Sequence, residues 1–346
     1  MNLRSIFRTR SYSAGSRFWP GSRPRPRSRF WFALIATFVI GLPCQNNVSR
    51  GDDSLSNRIW LVSTRGASSC SPSLNQTTRI KFWSSDTGVP WQQTNVDHFF
   101  DCVNGDPVPL CIYVHENRVS AEEAWGRAKT IFCQLQQASQ PQNDRFRLVV
   151  VSWPSDRIGV RPRPDAQIKA QRSEMHGYYL AWLLDQIDPS VPVSLFGTSY
   201  GPRMITAALH LRAGGTIAGH QLASTSYSAR SAVRVALFAS ALDCDWLLPN
   251  HHHGRAMTQV ERMLIAYNPS DSVLHWYPRL NGRGGPAALG YVGVSPSRLG
   301  VDGYKVQLMN VSRSVGKTHS WQAYEGNPAM MSRVAPYLLR QTDDLL

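Results

Sequence analysis

The sequence predicts an α/β fold with one doubly wound, mostly parallel sheet, and two observations support this prediction. From Arg58 onward, apolar segments of strand length alternate with segments of helical periodicity, which is typical of βαβ units with parallel strands. Several strand segments are almost continuous apolar runs, which indicates strands that are buried on both faces. The segments between the strands are short, so we expect no large cap domain.

The first half of the domain supplies three predicted strands and one helix. An apolar strand spans Ile59–Thr64, and Arg79–Trp83 alternates between polar and apolar residues, which suits an edge strand. Pro109–His115 is nearly continuous in apolar character and predicts a strand buried on both faces. A helix begins at Ser120, because Glu123 three residues later completes a capping box.

The second half continues the same alternation. Arg147–Trp153 is a buried strand that Pro154 ends, and residues 165–188 form a helix with an apolar stripe. Val191–Phe196 is the next strand, and the helix Pro202–Leu211 follows it. The remaining predicted elements are the strands Val233–Ala239, Met263–Tyr267 and Tyr304–Met309, and a closing helix over Pro328–Arg340.

The N-terminal segment differs in composition from this domain and predicts export. The formal net charge is +14, and residues 1–29 carry eight arginines and no acidic residue. Most of the positive charge therefore lies in the leader, which argues against a nucleic-acid-binding function. An apolar run over residues 30–43 follows, and this combination predicts a secretory signal or a signal anchor. We expect a leader over 1–43, a linker over 44–57 and the folded domain over 58–346.

This leader sets the expected location of the protein. An exported chain would reach the periplasm, the cell envelope or the medium, and a retained signal would attach it to a membrane through residues 30–43. The run is shorter than the roughly 20 residues of a usual spanning helix, and a buried N-terminal helix is the alternative. Cleavage of the leader, disulfide pairing among the six cysteines and the oligomeric state stay open.

One short motif combines small residues, a nucleophile and a suitable local context. Gly197-Thr198-Ser199-Tyr200-Gly201 is a GxSxG sequence with a predicted strand before it and a predicted helix after it. In this context the serine sits on a tight, strained strand-to-helix turn, which small flanking residues permit. The turn lifts the hydroxyl above the sheet edge at the positive end of the helix. Ser199 is the predicted nucleophile, and the alternative is an ordinary glycine-bounded turn.

A serine hydroxyl needs a base to become a nucleophile, and the base needs an orienting carboxylate. After a GxSxG turn these groups follow in the order acid, then histidine, each beyond a strand. His319 is the last histidine of the chain and lies ten positions beyond the last predicted strand. Asp271, after the preceding strand, is the preferred acid, and Asp243 and Asp245, one strand earlier, are the alternatives.

The charge that develops on a substrate oxygen during attack needs two backbone N–H donors. The residue after the nucleophile supplies one of them, which predicts the N–H of Tyr200. The other belongs to the loop after the strand Pro109–His115, where Glu116 and Asn117 are the candidates. These donors require no cofactor and no metal.

The residues that carry this chemistry lie in segments that resemble a known family. The segments are Val114-His115 with Asn117, Val151–Ser155, Gly197–Gly201, Ala241–Asp243, Tyr267–Asp271 with Leu274, and His319-Ser320. Their residues, order and spacing resemble a bacterial family of α/β-hydrolases of unknown function that is related to lipases and esterases. The resemblance covers residues 110–321 and implies an α/β-hydrolase fold without a large cap domain.

Two positions depart from the pattern of that family. The family usually has His-Gly in the loop after this strand, whereas Glu116 replaces the glycine here. It also favours histidine before the nucleophile, where this chain has Thr198. A carboxylate beside the oxyanion weakens its stabilisation. We therefore expect the change Glu116→Gly to raise any esterase activity or leave it unchanged.

Two functions are open at this stage. The complete order of serine, acid and histidine favours a carboxylic-ester hydrolase that acts through an acyl-enzyme on a small-molecule or lipid ester. Glu116 favours the alternative, a non-catalytic protein of the same fold with a binding or structural role at the cell envelope. The run His251-His252-His253 beside Asp243 and Asp245 suggests a polar loop more than a metal site, because adjacent loop histidines lack fixed geometry.

Overall fold

The apolar runs of the sequence form the strands of one sheet in a computed structural model that describes residues 58–86, 90–139, 145–222, 232–280 and 284–342. These residues all belong to one compact unit of the chain. The predicted leader and linker lie outside the described residues, so export and membrane attachment stay predictions. Within the described ranges, no helix combines the length and the hydrophobicity that crossing a membrane requires.

Nine strands make up this sheet within the described ranges. In chain order they are β1 (Ile59–Ser63), β2 (Lys81–Ser85), β3 (Gln92–Thr94), β4 (Leu110–Val114), β5 (Arg147–Ser152), β6 (Val193–Thr198), β7 (Val233–Phe238), β8 (Val260–Tyr267) and β9 (Val306–Asn310). Their spatial order is β3-β2-β1-β5-β4-β6-β7-β8-β9. The pairs β3–β2 and β2–β1 are antiparallel, and every later pair is parallel. The predicted mostly parallel sheet is confirmed.

Helices cover both faces of this sheet. In the described ranges they are α1 (Val96–Asn104), α2 (Ala121–Ala138), α3 (Pro162–Asp185), α4 (Tyr200–Arg212), α5 (Leu289–Val292), α6 (Ser312–Val315) and α7 (Pro328–Leu338). Helix α3 packs against α4, and α2 packs against α7. Every residue of β4, β5, β6 and β7 is buried, so both faces of these central strands are covered. The doubly wound arrangement is confirmed.

The predicted capping box at the start of α2 is present. The side chain of Ser120 accepts a hydrogen bond from Glu123 N–H at 3.2 Å, and the Glu123 carboxylate accepts one from Ser120 N–H at 2.8 Å. This reciprocal pair satisfies two N–H groups that the first turn of a helix leaves without partners. The residues of the predicted apolar face, Ala124, Ala128, Ile131, Phe132 and Leu135, are all buried.

The edge of the sheet differs from the prediction. Strand β2 is not the edge strand, because β3 pairs with its outer side. Helix α1 follows β3, and neither element was predicted. Asn95 caps α1 by accepting a hydrogen bond from His98 N–H at 2.7 Å. The ring of Phe99 packs edge-on against Trp60, with 5.1 Å between ring centroids. This contact packs α1 against β1, the strand next to β2.

The topology brings the predicted catalytic residues to one edge of the sheet. The carboxyl ends of parallel strands meet at the same edge. Strand β6 ends directly before Ser199, whereas β8 and β9 end shortly before Asp271 and His319. Three separate strands therefore deliver the three side chains to one place.

Candidate active site

Ser199 lies in a strained turn between β6 and α4. Its φ is 59° and its ψ is −104°, a combination that non-glycine residues rarely adopt. Hydrogen bonds hold the turn on both sides: Ser199 N–H donates to Phe238 O at 3.0 Å, and Ala241 N–H donates to Ser199 O at 2.9 Å. The neighbouring strand β7 thus fixes the serine at the N-terminus of α4. The predicted strand–turn–helix context is confirmed.

The two glycines of the motif are required by the close approach of β4. A Cβ atom on Gly197 would lie 2.3 Å from Val114 O, and one on Gly201 would lie 2.1 Å from the same oxygen. Neither glycine has a positive φ. The strain is therefore carried by Ser199 itself, and the glycines provide the space that its turn needs beside β4.

His319 links Ser199 to Asp271. His319 Nε2 lies 3.0 Å from Ser199 Oγ, and His319 Nδ1 lies 2.7 Å from Asp271 Oδ2. Asp271 is fully buried, and its Oδ1 accepts hydrogen bonds from the N–H groups of Val273 and Leu274, both at 2.9 Å. These bonds orient the carboxylate toward Nδ1, which directs the lone pair of Nε2 at the serine hydroxyl. The geometry is that of a Ser-His-Asp triad.

The two alternative acids are held elsewhere. Asp243 Oδ1 accepts a hydrogen bond from Tyr277 OH at 2.6 Å. Asp245 Oδ2 lies 3.5 Å from His251 Nδ1. Of the three aspartates that the sequence left open, the structure brings Asp271 to His319.

The loop after β4 begins beside the serine turn. A Cβ atom on Gly201 would lie 3.5 Å from His115 O, which places this loop next to the start of α4. The N–H of Tyr200 belongs to the first turn of α4, where N–H groups have no partner within the helix. Asn117 lies in the loop, and its buried Oδ1 has no hydrogen-bond partner among the described residues. The oxyanion roles of Tyr200 and Asn117 stay predictions.

His115 holds this loop in place. Its Nδ1–H donates to Glu116 O at 2.8 Å, and its Nε2 accepts from Trp153 N–H at 3.2 Å. The indole N–H of Trp153 donates back to His115 O at 2.8 Å. Burial holds the pKa of His115 well below its usual range, so the neutral ring can act as donor and acceptor at once. The loop is thereby fixed to the end of β5.

Glu116 is compensated by a cation that the sequence analysis did not foresee. Its carboxylate lies 2.5 Å from Arg127 Nη1 of α2, and both side chains are largely buried. The Arg127 guanidinium also lies over the ring of Trp321, at 4.8 Å from the centroid. The pair carries no net charge. The expected weakening of the oxyanion site by an unscreened carboxylate therefore loses its basis.

Glu325 is a residue beside the nucleophile that the sequence analysis missed. Thr198 Oγ1 donates a hydrogen bond to Glu325 Oε1, and both residues are fully buried. Burial raises the pKa of Glu325 to about 8, and Thr198 and Arg127 partly oppose this rise. Because Glu325 follows His319 by six residues, its bond to Thr198 ties the histidine loop to the residue before Ser199.

The sequence suggested a polar loop for the histidine run, and the structure exposes only part of it. His251 and His252 are exposed, whereas His253 is fully buried. His252 and His253 approach Glu174 of α3, and the three potential ligand atoms lie within 4.8 Å of one another. Asp243 does not belong to this group.

The sheet and the serine turn define the class of fold. The mostly parallel sheet, the strained Ser199 between a central strand and its helix, and the absence of a cap domain within the described ranges are those of the α/β-hydrolase fold. The order of Ser199, Asp271 and His319 along the chain is the order that this fold uses. The chain therefore has a serine-hydrolase-like α/β fold.

Comparisons with known proteins gave structural similarities only. No family model matches the chain, and no curated protein matches its sequence. Acyl-protein thioesterase 2 from Zea mays is 14% identical, with a TM-score of 0.39, over 67% of this chain and 93% of its own. Carboxyl esterase 2 from Tuber melanosporum is 12% identical, with a TM-score of 0.36, over 76% and 83% of the two chains. Esterase B from Lactobacillus rhamnosis is 12% identical, with a TM-score of 0.37, over 83% and 88%.

Proposed function

We propose that the protein is a serine hydrolase that cleaves carboxylic esters through an acyl-enzyme, with Ser199 as nucleophile. The observation that carries the proposal is the hydrogen-bonded chain from Ser199 through His319 to Asp271. The strained backbone of Ser199 supports it, because such strain costs on the order of 1–3 kcal/mol and clusters at functional sites. A serine without a chemical role would gain stability from an unstrained turn.

In the first half of the reaction, Ser199 Oγ attacks the ester carbonyl while His319 Nε2 accepts the hydroxyl proton. Asp271 holds the imidazole in the correct tautomer and stabilises the imidazolium that forms. The oxyanion of the tetrahedral intermediate is stabilised by backbone N–H groups, for which Tyr200 and Asn117 are the candidates. Transfer of the proton from His319 to the leaving alkoxide releases the alcohol and leaves an acyl group on Ser199.

In the second half, water takes the place of the alcohol. His319 Nε2 removes a proton from water, which attacks the acyl carbonyl, and the same proton is then returned to Ser199 Oγ. The carboxylic acid leaves and the serine is restored. No redox step and no cofactor is needed for this sequence.

Exposed apolar side chains near the site favour an ester with an apolar portion. The segment after Asp271 exposes Val273 and Trp276, and the loop after β5 exposes Ile158 and Val160. Both segments follow the carboxyl ends of parallel strands, which is the edge that holds Ser199. Exposed apolar side chains at the edge that holds the catalytic centre suit contact with an acyl chain. We therefore propose small-molecule or lipid esters as substrates.

Labelling with a fluorophosphonate probe tests the proposal, because the probe reacts with an activated serine. We expect the wild-type protein to be labelled and the Ser199→Ala variant to be unlabelled. Ser320→Ala is the matched control, since Ser320 is an exposed serine next to His319 and its loss is expected to leave labelling intact. Folded wild-type protein that fails to react, or a Ser199→Ala variant that still reacts, contradicts the proposal.

The alternative of a non-catalytic binding protein has lost the observation that favoured it. That observation was Glu116 in place of a glycine, and the carboxylate of Glu116 pairs with Arg127. No second feature of the described residues favours the alternative over hydrolysis. Probe labelling distinguishes the two functions directly.

We also propose that the leader directs export, which would place ester hydrolysis in the periplasm, the envelope or the medium. The proposal is supported by the eight arginines and the apolar run over residues 30–43. Cell fractionation of the full chain, beside a chain that starts at Asn57, tests it. We expect only the full chain to leave the cytoplasm and the shorter chain to be soluble. Aggregation of the shorter chain alone would mean that the apolar run belongs to the core.

A further inference from the structure

A buried nitrogen without a partner lies in a cluster outside the predicted active site. His253 is fully buried, and its Nε2 has no hydrogen-bond partner among the described residues. Glu174 Oε2 lies 3.9 Å from this nitrogen and 2.7 Å from His252 Nε2. Buried polar atoms nearly always have partners. The arrangement of two imidazoles and one carboxylate therefore needs a physical explanation.

The contact between His253 Nδ1 and Thr206 leaves Nε2 of the same ring facing Glu174. Thr206 Oγ1 lies 2.9 Å from Pro202 O and 2.9 Å from His253 Nδ1. With its proton on the Pro202 carbonyl, as in an ordinary helical threonine, the hydroxyl oxygen accepts from Nδ1–H. Nε2 therefore carries a lone pair that faces Glu174. A hydrogen bond at one ring nitrogen that frees the other for ligation is the usual arrangement of metal-binding histidines.

Glu174 supplies a second electron-rich atom. Its Oε1 accepts a hydrogen bond from Arg203 Nη1 at 2.5 Å, which leaves Oε2 turned toward the two imidazoles. The ion pair with Arg203 stabilises the Glu174 side chain as a carboxylate. A carboxylate oxygen and an imidazole lone pair repel each other in a buried place unless a cation or a proton lies between them.

We propose that Glu174 Oε2, His252 Nε2 and His253 Nε2 bind a divalent transition-metal ion of the Zn²⁺ type. Such an ion binds imidazole nitrogen and carboxylate oxygen at about 2.0–2.2 Å, which places tetrahedral ligands roughly 3.3 Å from one another. The ligand atoms lie 2.7 Å apart in the closest pair, and all lie within 4.8 Å of one another. Small side-chain rotations therefore bring them to the required spacing. Because His252 is exposed, a fourth position is open to water.

The ion would brace the fold behind the serine turn. Glu174 belongs to α3, the two histidines to the loop after β7, and Thr206, which positions His253, to α4. Arg203 joins this cluster to the turn, because it also donates to Ala241 O at 3.0 Å, and Ala241 N–H holds Ser199 O. The positive charge of Arg203 weakens binding of a cation. We therefore expect lower affinity than at a closed structural zinc site, and a gain in thermal stability on binding.

Calorimetric titration of the full chain with Zn²⁺ tests the proposal, using protein without an oligohistidine tag and cleared of metal with a chelator. We expect one Zn²⁺ per chain and a higher Tm in its presence. His252→Ala removes an exposed ligand without opening the core, and we expect it to lower the affinity at least about tenfold. His251→Ala is the matched control, because His251 is an exposed neighbour outside the cluster. It is expected to keep the wild-type affinity.

His253→Gln replaces the buried ligand. We expect this variant to abolish both Zn²⁺ binding and the Tm shift. The absence of Zn²⁺ binding by folded wild-type protein overturns the proposal. Equal affinities of the wild type and His252→Ala also overturn it. An equal loss in His251→Ala and His252→Ala overturns it too, because the ion would then bind a surface pair of histidines. The two exposed variants decide the question even where His253→Gln fails to fold.

Discussion

Replacing Glu325 with glutamine gives a measurable test of the buried contact beneath the nucleophile. The wild-type carboxyl group is fully buried against Thr198, and burial raises its pKa to about 8. Glutamine has the same shape and can still accept a hydrogen bond from Thr198 Oγ1, but it does not titrate. The variant therefore removes the pH dependence that this group gives to stability and leaves the packing in place.

The magnitude follows from the two pKa values. With a pKa of about 8 in the folded state and 4.5 as the ordinary value, the folded protein keeps a proton that the unfolded chain has lost between these pH values. The contribution of Glu325 to the free energy of unfolding is complete below pH 4.5. It declines by about 1.4 kcal/mol per pH unit above that pH and is lost above pH 8. Between pH 6.5 and pH 9 the decline is about 2 kcal/mol.

Urea unfolding of the wild type and Glu325→Gln at pH 6.5 and pH 9 measures this decline. We expect the wild type to lose about 2 kcal/mol more than the variant over the interval. Glu122→Gln is the control, because the Glu122 carboxylate is exposed and its pKa is lowered by hydrogen bonds, so it titrates below the interval. Parallel behaviour of the wild type and Glu325→Gln would refute a raised pKa at this position.

Three further predictions concern the triad, the oxyanion loop and acid stability. Asp271→Asn is expected to lower ester turnover by roughly 10²–10⁴ in folded protein, and Asp243→Asn far less. An active first variant beside an inactive, folded second one would move the acid to the preceding strand. Glu116→Gly leaves the largely buried Arg127 unpaired. We therefore expect this variant to lose roughly 2–4 kcal/mol of stability and to gain no turnover. An unchanged urea midpoint would contradict this expectation. Stability is also expected to fall as the pH drops below 6.5, because four buried histidines have lowered pKa values and charge more easily in the unfolded chain. They are His115, His176, His210 and His253. A urea midpoint that does not change between pH 7 and pH 4.5 would contradict that expectation.

The parts of the fold that the sequence predicted are those in which burial dictates residue type. Central strands such as β5 are buried at every residue, and a continuous apolar run is the direct consequence. The serine turn was predictable for a similar reason, because the carbonyl of Val114 leaves no space for a side chain at Gly197 and Gly201. The steric requirement is local, so it leaves a short and recognisable motif.

The two missed elements, β3 and α1, carry no signal or only a weak one. Strand β3 has three residues, Gln92–Thr94, none of them apolar and none buried, so neither alternation nor composition indicated a strand. Helix α1 did carry a signal, since Asn95 caps it and Phe99 and Val103 are its buried residues. Its two buried positions are too few for a clear helical period. The prediction that β2 is an edge strand was wrong because β3 pairs with it. That pairing depends on the fold and leaves no local signal in the sequence.

Some residues at or near the site could not be predicted because they depend on contacts between distant parts of the chain. Glu325 meets Thr198 across 127 positions of the chain, and no spacing rule connects a lone glutamate to a threonine that far away. Similarly, three consecutive histidines suggested a polar loop, but His253 turns inward to Thr206. The burial of one residue within a polar run depends on the loop path, which only the folded chain defines.

The two departures from the family pattern that the sequence resembles are each matched by a partner. Glu116 replaces a glycine and pairs with Arg127, whereas Thr198 replaces a histidine and bonds to Glu325. The pairs also influence each other, because Glu116 raises and Arg127 lowers the pKa of Glu325. Removing one member of either pair leaves the other buried without its partner, at a cost of about 1–3 kcal/mol. Both positions that depart from the pattern, one in the loop after β4 and one directly before Ser199, are therefore held by contacts with distant parts of the chain.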